Sequence, residues 1–313
     1  MADKTGLNAP QFQDADKARQ YLEAQVWPNG PTCPHCGVIG KHWEIKGKST
    51  RPGLYKCTDC REPFTVTVGT VFERSKIPLN KWLLAVYLLC SSKKGMSAHQ
   101  LHRTLGITYK SAWFMAHRIR KAMETRSHEP MGGKGGIVEA DETYWGTSAV
   151  GKRNQRIGRR IPGGTEKMKI FSLIERGGKA RSFHVPNVNA RNLAPLLRGQ
   201  VDKETHLMTD EARVYIKVGR EFADHSVVKH WVGEYVRGIA HTNTAESFFN
   251  ILKRGLIGTY HHVGEQHLQK YVTEFDFRYN NRTKLGVTDA ERADKALKGI
   301  TGKRLTYRRI NAQ

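Results

Sequence analysis

Ile137-Val138-Glu139-Ala140-Asp141-Glu142-Thr143-Tyr144 is the stretch on which the fold of this chain turns, with Trp145 and Gly146 directly after it. A glycine cluster, Met131-Gly132-Gly133-Lys134-Gly135-Gly136, precedes it, so a strand opens a new unit here after a flexible link. An acid at the end of a buried strand costs stability unless something cationic meets it. Asp210 ends a second short apolar run, Leu207-Met208-Thr209-Asp210. Glu246 comes 36 positions later, near the start of a helical stretch, and Lys253 lies seven residues further on. Acids drawn from different elements of a very basic chain point to a divalent metal as the shared partner. Period-2 alternation puts Glu139 and Asp141 on one face, so alternation does not choose between them.

Working outward, strands are expected over 136–144, 168–175 and 180–185, the last two joined by a turn at Arg176-Gly177-Gly178-Lys179. A helical stretch over 189–199, interrupted by Pro195, leads to the strand ending at Asp210. Strand, strand, strand, helix, strand, helix is the order of an RNase H-like mixed α/β sheet. That unit is expected over 136–283, followed by a basic segment over 284–313 with a short helix near 288–298. Phe275, Phe277 and Tyr279 read as its core.

Upstream, residues 1–25 hold a short amphipathic helix, and 26–75 carry two Cys-x2-Cys pairs, Cys33/Cys36 and Cys57/Cys60, 20 residues apart. That spacing is a structural zinc ribbon: four thiolates close a tetrahedron and leave no place for water. Gly37, after the first pair, suits the positive φ of a knuckle. His35 reads as a solvated filler, Cys90 as a small buried residue, and alternation extends a strand over 64–68. Residues 76–128 are helical, and Ser97 to Trp113 has the helix, glycine-containing turn and second helix of a helix-turn-helix.

The chain has 313 residues and a formal net charge of +23, so polyanions, nucleic acid above all, are the expected partners. The N-terminus has no apolar signal region and Trp82 to Cys90 is too short to span a bilayer, which predicts a cytoplasmic, nucleoid-associated protein with no membrane partner.

Asp141, Asp210 and Glu246, with 35 residues between the last two, followed by Lys253, resemble the DDE motif of transposases and retroviral integrases. Val138–Tyr144, Asn243–Gly255, Gly258–His262 and Glu274–Asn280 extend the likeness to the insertion-sequence transposases of the ISXO-like group, which join an N-terminal zinc ribbon to a DDE domain. The resemblance covers about residues 20 to 283, and it is what selects Asp141 over Glu139. It implies an RNase H-like domain that uses two Mg²⁺ or Mn²⁺ ions, held by Asp141, Asp210 and Glu246, to cut transposon ends and join the 3′-hydroxyl to target DNA. Related members vary at the third acid, so the asparagine Asn243 stands beside Glu246 for that position. Tyr144-Trp145-Gly146 departs from the family's more usual second glycine there.

Lys253 is placed to hold a phosphate beside the metals, two helical turns from Glu246. For DNA contact the candidates are Tyr109, Lys110, Ser111 and Arg118 on the second helix of the helix-turn-helix, Arg153, Arg159 and Arg160 in a basic insertion, and Arg254. Lys303, Arg304, Arg308 and Arg309 suit nonspecific phosphate binding, while His261 and His262 suit either DNA contact or a structural role. The expected partners are double-stranded DNA, as terminal inverted repeats and as target, and further copies of the chain in a homodimer or higher oligomer. Two other functions share these features: a DNA-binding regulator without catalysis, and a zinc-ribbon endonuclease without strand transfer.

Overall fold

A computed structural model describes residues 6–125, 129–146, 167–228, 236, 238–239 and 241–306. The chain divides into two compact units, one of residues 1–124 with 281–313 and the other of residues 125–280.

In the first unit, α1 (Pro10–Gln13) and α2 (Ala15–Val26) lead into a three-stranded antiparallel ribbon of β1 (His42–Glu44), β2 (Tyr55–Cys57) and β3 (Pro63–Phe64). The strand expected over 64–68 stops at Phe64, because Val68 N–H turns back onto the Thr65 carbonyl while Thr65 and Val66 go into the core. Three helices follow: α3 (Leu79–Ser91), α4 (Ala98–Leu105) and α5 (Tyr109–Ala122). Gly106, at φ 58°, ends α4 in the left-handed region, and the Thr108 hydroxyl caps α5 through Ser111 N–H. The C-terminal segment is part of this core, since α10 (Asp289–Lys298) packs on α3 and α2. Its cations complete helix ends: Arg292 Nη1 donates to the Cys90 carbonyl at 2.9 Å and Lys303 Nζ to the Ala122 carbonyl at 2.8 Å.

The second unit is a five-stranded mixed sheet in the order β6-β5-β4-β7-β8, built from β4 (Ile137–Trp145), β5 (Met168–Glu175), β6 (Ala180–Val185), β7 (His206–Asp210) and β8 (Asp224–Val228). β4, β5 and β6 run antiparallel, while β7 and β8 run parallel to β4. This is the RNase H-like arrangement, with β4 at the centre. The residues of β5 alternate between two cores, as a strand covered on both faces must. Phe171 and Leu173 meet α6 (Ala190–Gln200) and α7 (Arg213–Gly219) on one face. On the other, Ile170 and Ile174 meet α8 (Asn243–Gly255) and α9 (Glu265–Asn280).

The outer edge of β6 is sealed by side chains in place of a sixth strand. Asn280 accepts from Ala180 N–H at 2.6 Å and donates to the Ala180 carbonyl at 2.9 Å. Asp276 accepts from Ser182 N–H and its hydroxyl, and Gln269 takes the Ser182 carbonyl and the His184 N–H. Residues 269, 276 and 280 lie on one face of α9, so a helix presents the groups of a strand to an open edge. Burial pushes the Asp276 carboxyl up to about 7, against the pull of its Ser182 donors. Asn280→Ala leaves the partly buried N–H and C=O of Ala180 without this partner and is expected to cost about 1–3 kcal/mol in urea unfolding.

Candidate active site

β4 carries three acids with three different jobs. Glu139 is wholly buried. Its carboxylate accepts from Thr244 N–H and Oγ1, both at 2.9 Å, from Ala245 N–H at 3.0 Å and from Arg176 Nε at 2.7 Å. Thr242, at the N-cap of α8, makes no side-chain cap of its own, so the strand's carboxylate satisfies the first amides of the helix instead. Arg176, from the β5–β6 turn, also donates to the Ile239 and His241 carbonyls at 2.7 and 2.9 Å, fixing the entry to α8. Glu139 is therefore a structural anion, and the choice that alternation left open is made by its partners.

Glu139 pairs with Met208 across the parallel β4–β7 ladder. Two residues further along each strand come Asp141 and Asp210, which thus fall at one level on neighbouring strands and on the α8 face. Glu246 occupies the first turn of α8, the helix that Glu139 holds. Asp141 Oδ1 accepts the Glu142 N–H at 2.7 Å, and Asp210 Oδ1 accepts the Ala212 N–H at 3.0 Å. Burial pushes the Asp141 carboxyl up to about 7, and the charges of Glu142, Asp210 and Glu246 push in the same direction. Glu142 points to the opposite face, where Tyr215 of α7 donates to it; burial raises its carboxyl too, with Asp210 adding to the effect. Mutually repelling carboxylates in the middle of the central strand, at the end of its parallel neighbour and in the first turn of α8 are a hard-oxygen donor set, which fits Mg²⁺ or Mn²⁺. Asn243 is exposed at the start of α8, and Lys253 is half-buried in its last turn.

The four cysteines form a different kind of site. Their Sγ atoms all lie within 4.8 Å of one another, with Cys33–Cys60 at 3.6 Å and Cys36–Cys57 at 3.7 Å. A tetrahedron with Zn–S bonds of about 2.3 Å has S···S edges of about 3.8 Å, so the cluster has the dimensions of a zinc site. Backbone donors from Cys60 and then Asp59 bring the Cys57 thiol down to about 7, in spite of its burial. Gly37 has φ +79°, as the knuckle requires. No second group of three metal-binding side chains closes to that spacing among the described residues.

Two family models match the chain: the ISXO2-like transposase domain over residues 134–280 and the transposase zinc-ribbon domain over 13–62. An uncharacterized protein in transposable element ISH50 of Halobacterium salinarum is 30% identical over 279 residues, covering 85% of this chain and 91% of its own length. The chain belongs to the ISXO2-like transposase family. An uncharacterized transposase-like protein of Haemophilus influenzae is 27% identical over 115 residues, 37% of this chain and 84% of that protein. A chain in the cryo-EM structure of a simian T-cell lymphotropic virus intasome in complex with PP2A regulatory subunit B56 gamma aligns at TM-score 0.28 and 13% identity, over 57% of this chain and 63% of that one.

Several residues expected to meet DNA in this transposase-family chain have other tasks. Arg118 is buried; Nε donates to the Leu305 carbonyl at 3.2 Å and Nη2 to the Glu73 carbonyl at 3.1 Å, so it ties α5 into its own unit. Lys303 is likewise spent on the end of α5. Ser111 is half-buried, and its hydroxyl accepts from Thr108 Oγ1 at 2.9 Å within the cap. Tyr109 is exposed and stacks on His99 with ring centroids 4.3 Å apart, beside exposed Lys110, so the first turn of α5 is open to solvent. Arg254 is exposed on α8. Arg153, Arg159, Arg160, Arg308 and Arg309 lie outside the described residues. No helix among the described residues is long and apolar enough to cross a membrane.

Two outcomes follow from this geometry. Glu139→Gln strands Arg176 and disturbs the donors at the start of α8, and is expected to cost about 3–5 kcal/mol in urea unfolding, as for a broken buried ion pair. The second concerns pH. A carboxyl raised in the folded state contributes stability that is complete below its unfolded pKa and is lost as pH rises through the folded pKa. Asp141 therefore lowers the melting temperature of the metal-free protein as pH approaches and passes about 7. Mg²⁺ is expected to raise the melting temperature more at about pH 8 than at about pH 6, because metal and proton compete for the carboxylate. Asp276 titrates with the same sign, so the Mg²⁺-dependent difference is the readout for Asp141, and Asp141→Asn is expected to abolish it.

Proposed function

We propose that this chain is an active DDE transposase that cuts the ends of its insertion sequence and joins the freed 3′-hydroxyl to target DNA. The observation that carries this reading is the meeting of Asp141, Asp210 and Glu246, from a central strand, its parallel neighbour and a helix N-terminus, in one field of mutual repulsion. Two divalent ions bound there supply activation of the attacking oxygen and neutralisation of charge on the leaving oxygen.

Within that scheme, Asp141 on β4, Asp210 on β7 and Glu246 on α8 would hold the ions. The electrostatic link between Glu246 and Asp141 favours Glu246 as the third ligand, with Asn243 supporting it one turn earlier. Lys253, about two turns along the same helix face, holds a phosphate beside the site. The zinc ribbon and the first turn of α5, with Tyr109 and Lys110, bring the terminal repeats to it. Strand transfer between two ends requires at least two copies of the chain to meet on DNA.

Labelled DNA carrying the element's ends, incubated with Mg²⁺, is expected to be nicked at those ends and joined to a second DNA. Both products should be lost with EDTA or in Asp210→Ala. Cleavage without joining would leave a nuclease, and binding without cleavage a regulator.

A further inference from the structure

The outward face of α8 continues past its end into an unusual turn. Glu246, Asn250, Lys253 and Ile257 follow one another at i, i+4, i+7 and i+11, which keeps them on a single stripe. The opposite face, with Ala245, Phe248, Phe249 and Leu252, is sunk in the core. After Gly255 the helix widens to a π-turn over Leu256–Tyr260, a form concentrated at functional sites. Ile257 in that turn is 61% exposed, the most exposed large apolar side chain among the described residues.

The turn then closes on a strained residue. His262 N–H donates to the Tyr260 carbonyl at 2.6 Å across His261, which has φ 58° and ψ −53°. This is the positive-φ γ-turn, rare even for glycine-containing loops and adopted here by a histidine. The surroundings enforce it. Leu256 and Val263 are buried on either side, and Tyr260 donates to the buried carboxylate of Glu274 at 2.6 Å and packs edge-on against Tyr271. Glycine at 261 would join α8 to α9 with no strain. The histidine instead leaves an exposed imidazole at the close of the turn that holds Ile257, a few residues after Lys253 and exposed Arg254.

We propose that this tip, Lys253, Arg254, Ile257 and His261, is the surface that grips the duplex end next to the cut, with Ile257 wedged against the base stack and His261 donating to a backbone phosphate. It rests on the transposase reading, because the same helix face starts at Glu246. The charge suits a polyanion, and apolar wedges flanked by basic side chains are a general means of unstacking a base step. The distances set the register. Eleven residues of helix place Ile257 about 16 Å from Glu246 along the axis; with α8 laid along the duplex, that is about five base-pair steps of B-DNA. The wedge is therefore expected about five base pairs from the cleaved bond.

The test uses the full chain with fluorescent duplexes carrying the element's ends, with Ca²⁺ in place of Mg²⁺ so that binding is read without cleavage. A 2-aminopurine probe sits at successive positions inside the end. His261→Gly is expected to raise the melting temperature, by releasing the strained turn, and yet to weaken end binding by about fivefold. Ile257→Ala, at an exposed position, should leave the melting temperature unchanged, weaken binding by about five- to tenfold and abolish the 2-aminopurine signal at the wedge position. A gain in stability joined to a loss of binding is what a purely structural turn cannot produce. If the wild-type chain binds and cuts the ends while both variants bind as tightly, with the same 2-aminopurine profile, this proposal falls and the transposase reading stands. If the wild-type chain neither binds nor cuts the ends, both fall.

Discussion

The carboxylate of Glu139 has no access to water and four hydrogen bonds to make, three of them to the start of α8. The placement of α8 on the sheet depends on that arrangement. A buried anion is costly unless fully partnered, and here the partners are the orphan amides of a helix and the guanidinium of Arg176. The bond set docks α8 end-on against the central strand, so Glu246, one turn in, arrives where Asp141 and Asp210 already stand side by side. Arg176 extends the same anchor to residues 239 and 241 at the entry of the helix. A repulsive cluster of acids can persist only on a frame held by other interactions, and the neighbouring acid on the same strand supplies that hold.

With the proposed function, the chain combines two metal-binding chemistries built on opposite principles. The cysteines are soft donors drawn together by tight knuckles, within reach of one ion and closed to substrate. The acids are hard donors spaced across three elements, with Glu246 exposed, and in the proposed function phosphate oxygens would complete a shell there. The first makes a small ribbon with three short strands viable; the second is open by design of the fold, at the end of the sheet where β4 and β7 run parallel.

Much of this was legible in the residues. The order of strands, the ends of β5 and β6, the cysteine spacing and the turn at Gly106 all carry local signals, and the structure follows them closely. Other features are decided by long-range partners and leave no local trace. Periodicity could not separate Glu139 from Asp141, since both face α8; only the amides of residues 244 and 245, more than a hundred positions away, do so. β8, Asp224-His225-Ser226-Val227-Val228, is an edge strand with a polar start and shows no apolar alternation. Gln269, Asp276 and Asn280 look like a solvated helix face but are spent on the edge of β6. Arg118 and Lys303 show the same limit for charge, because a cation that completes backbone carbonyls reads in sequence like one that waits for phosphate.

The central claim is a division of labour on β4, with Asp141 for metal and Glu139 for the helix. It is tested most directly by Mn²⁺-soaked crystals of the chain, read by anomalous diffraction. The account predicts anomalous density bounded by the carboxylates of Asp141, Asp210 and Glu246, with Glu139 still bonded to Thr244, Ala245 and Arg176. Manganese ligated by Glu139, or absent from the three acids at saturating concentration, would contradict it.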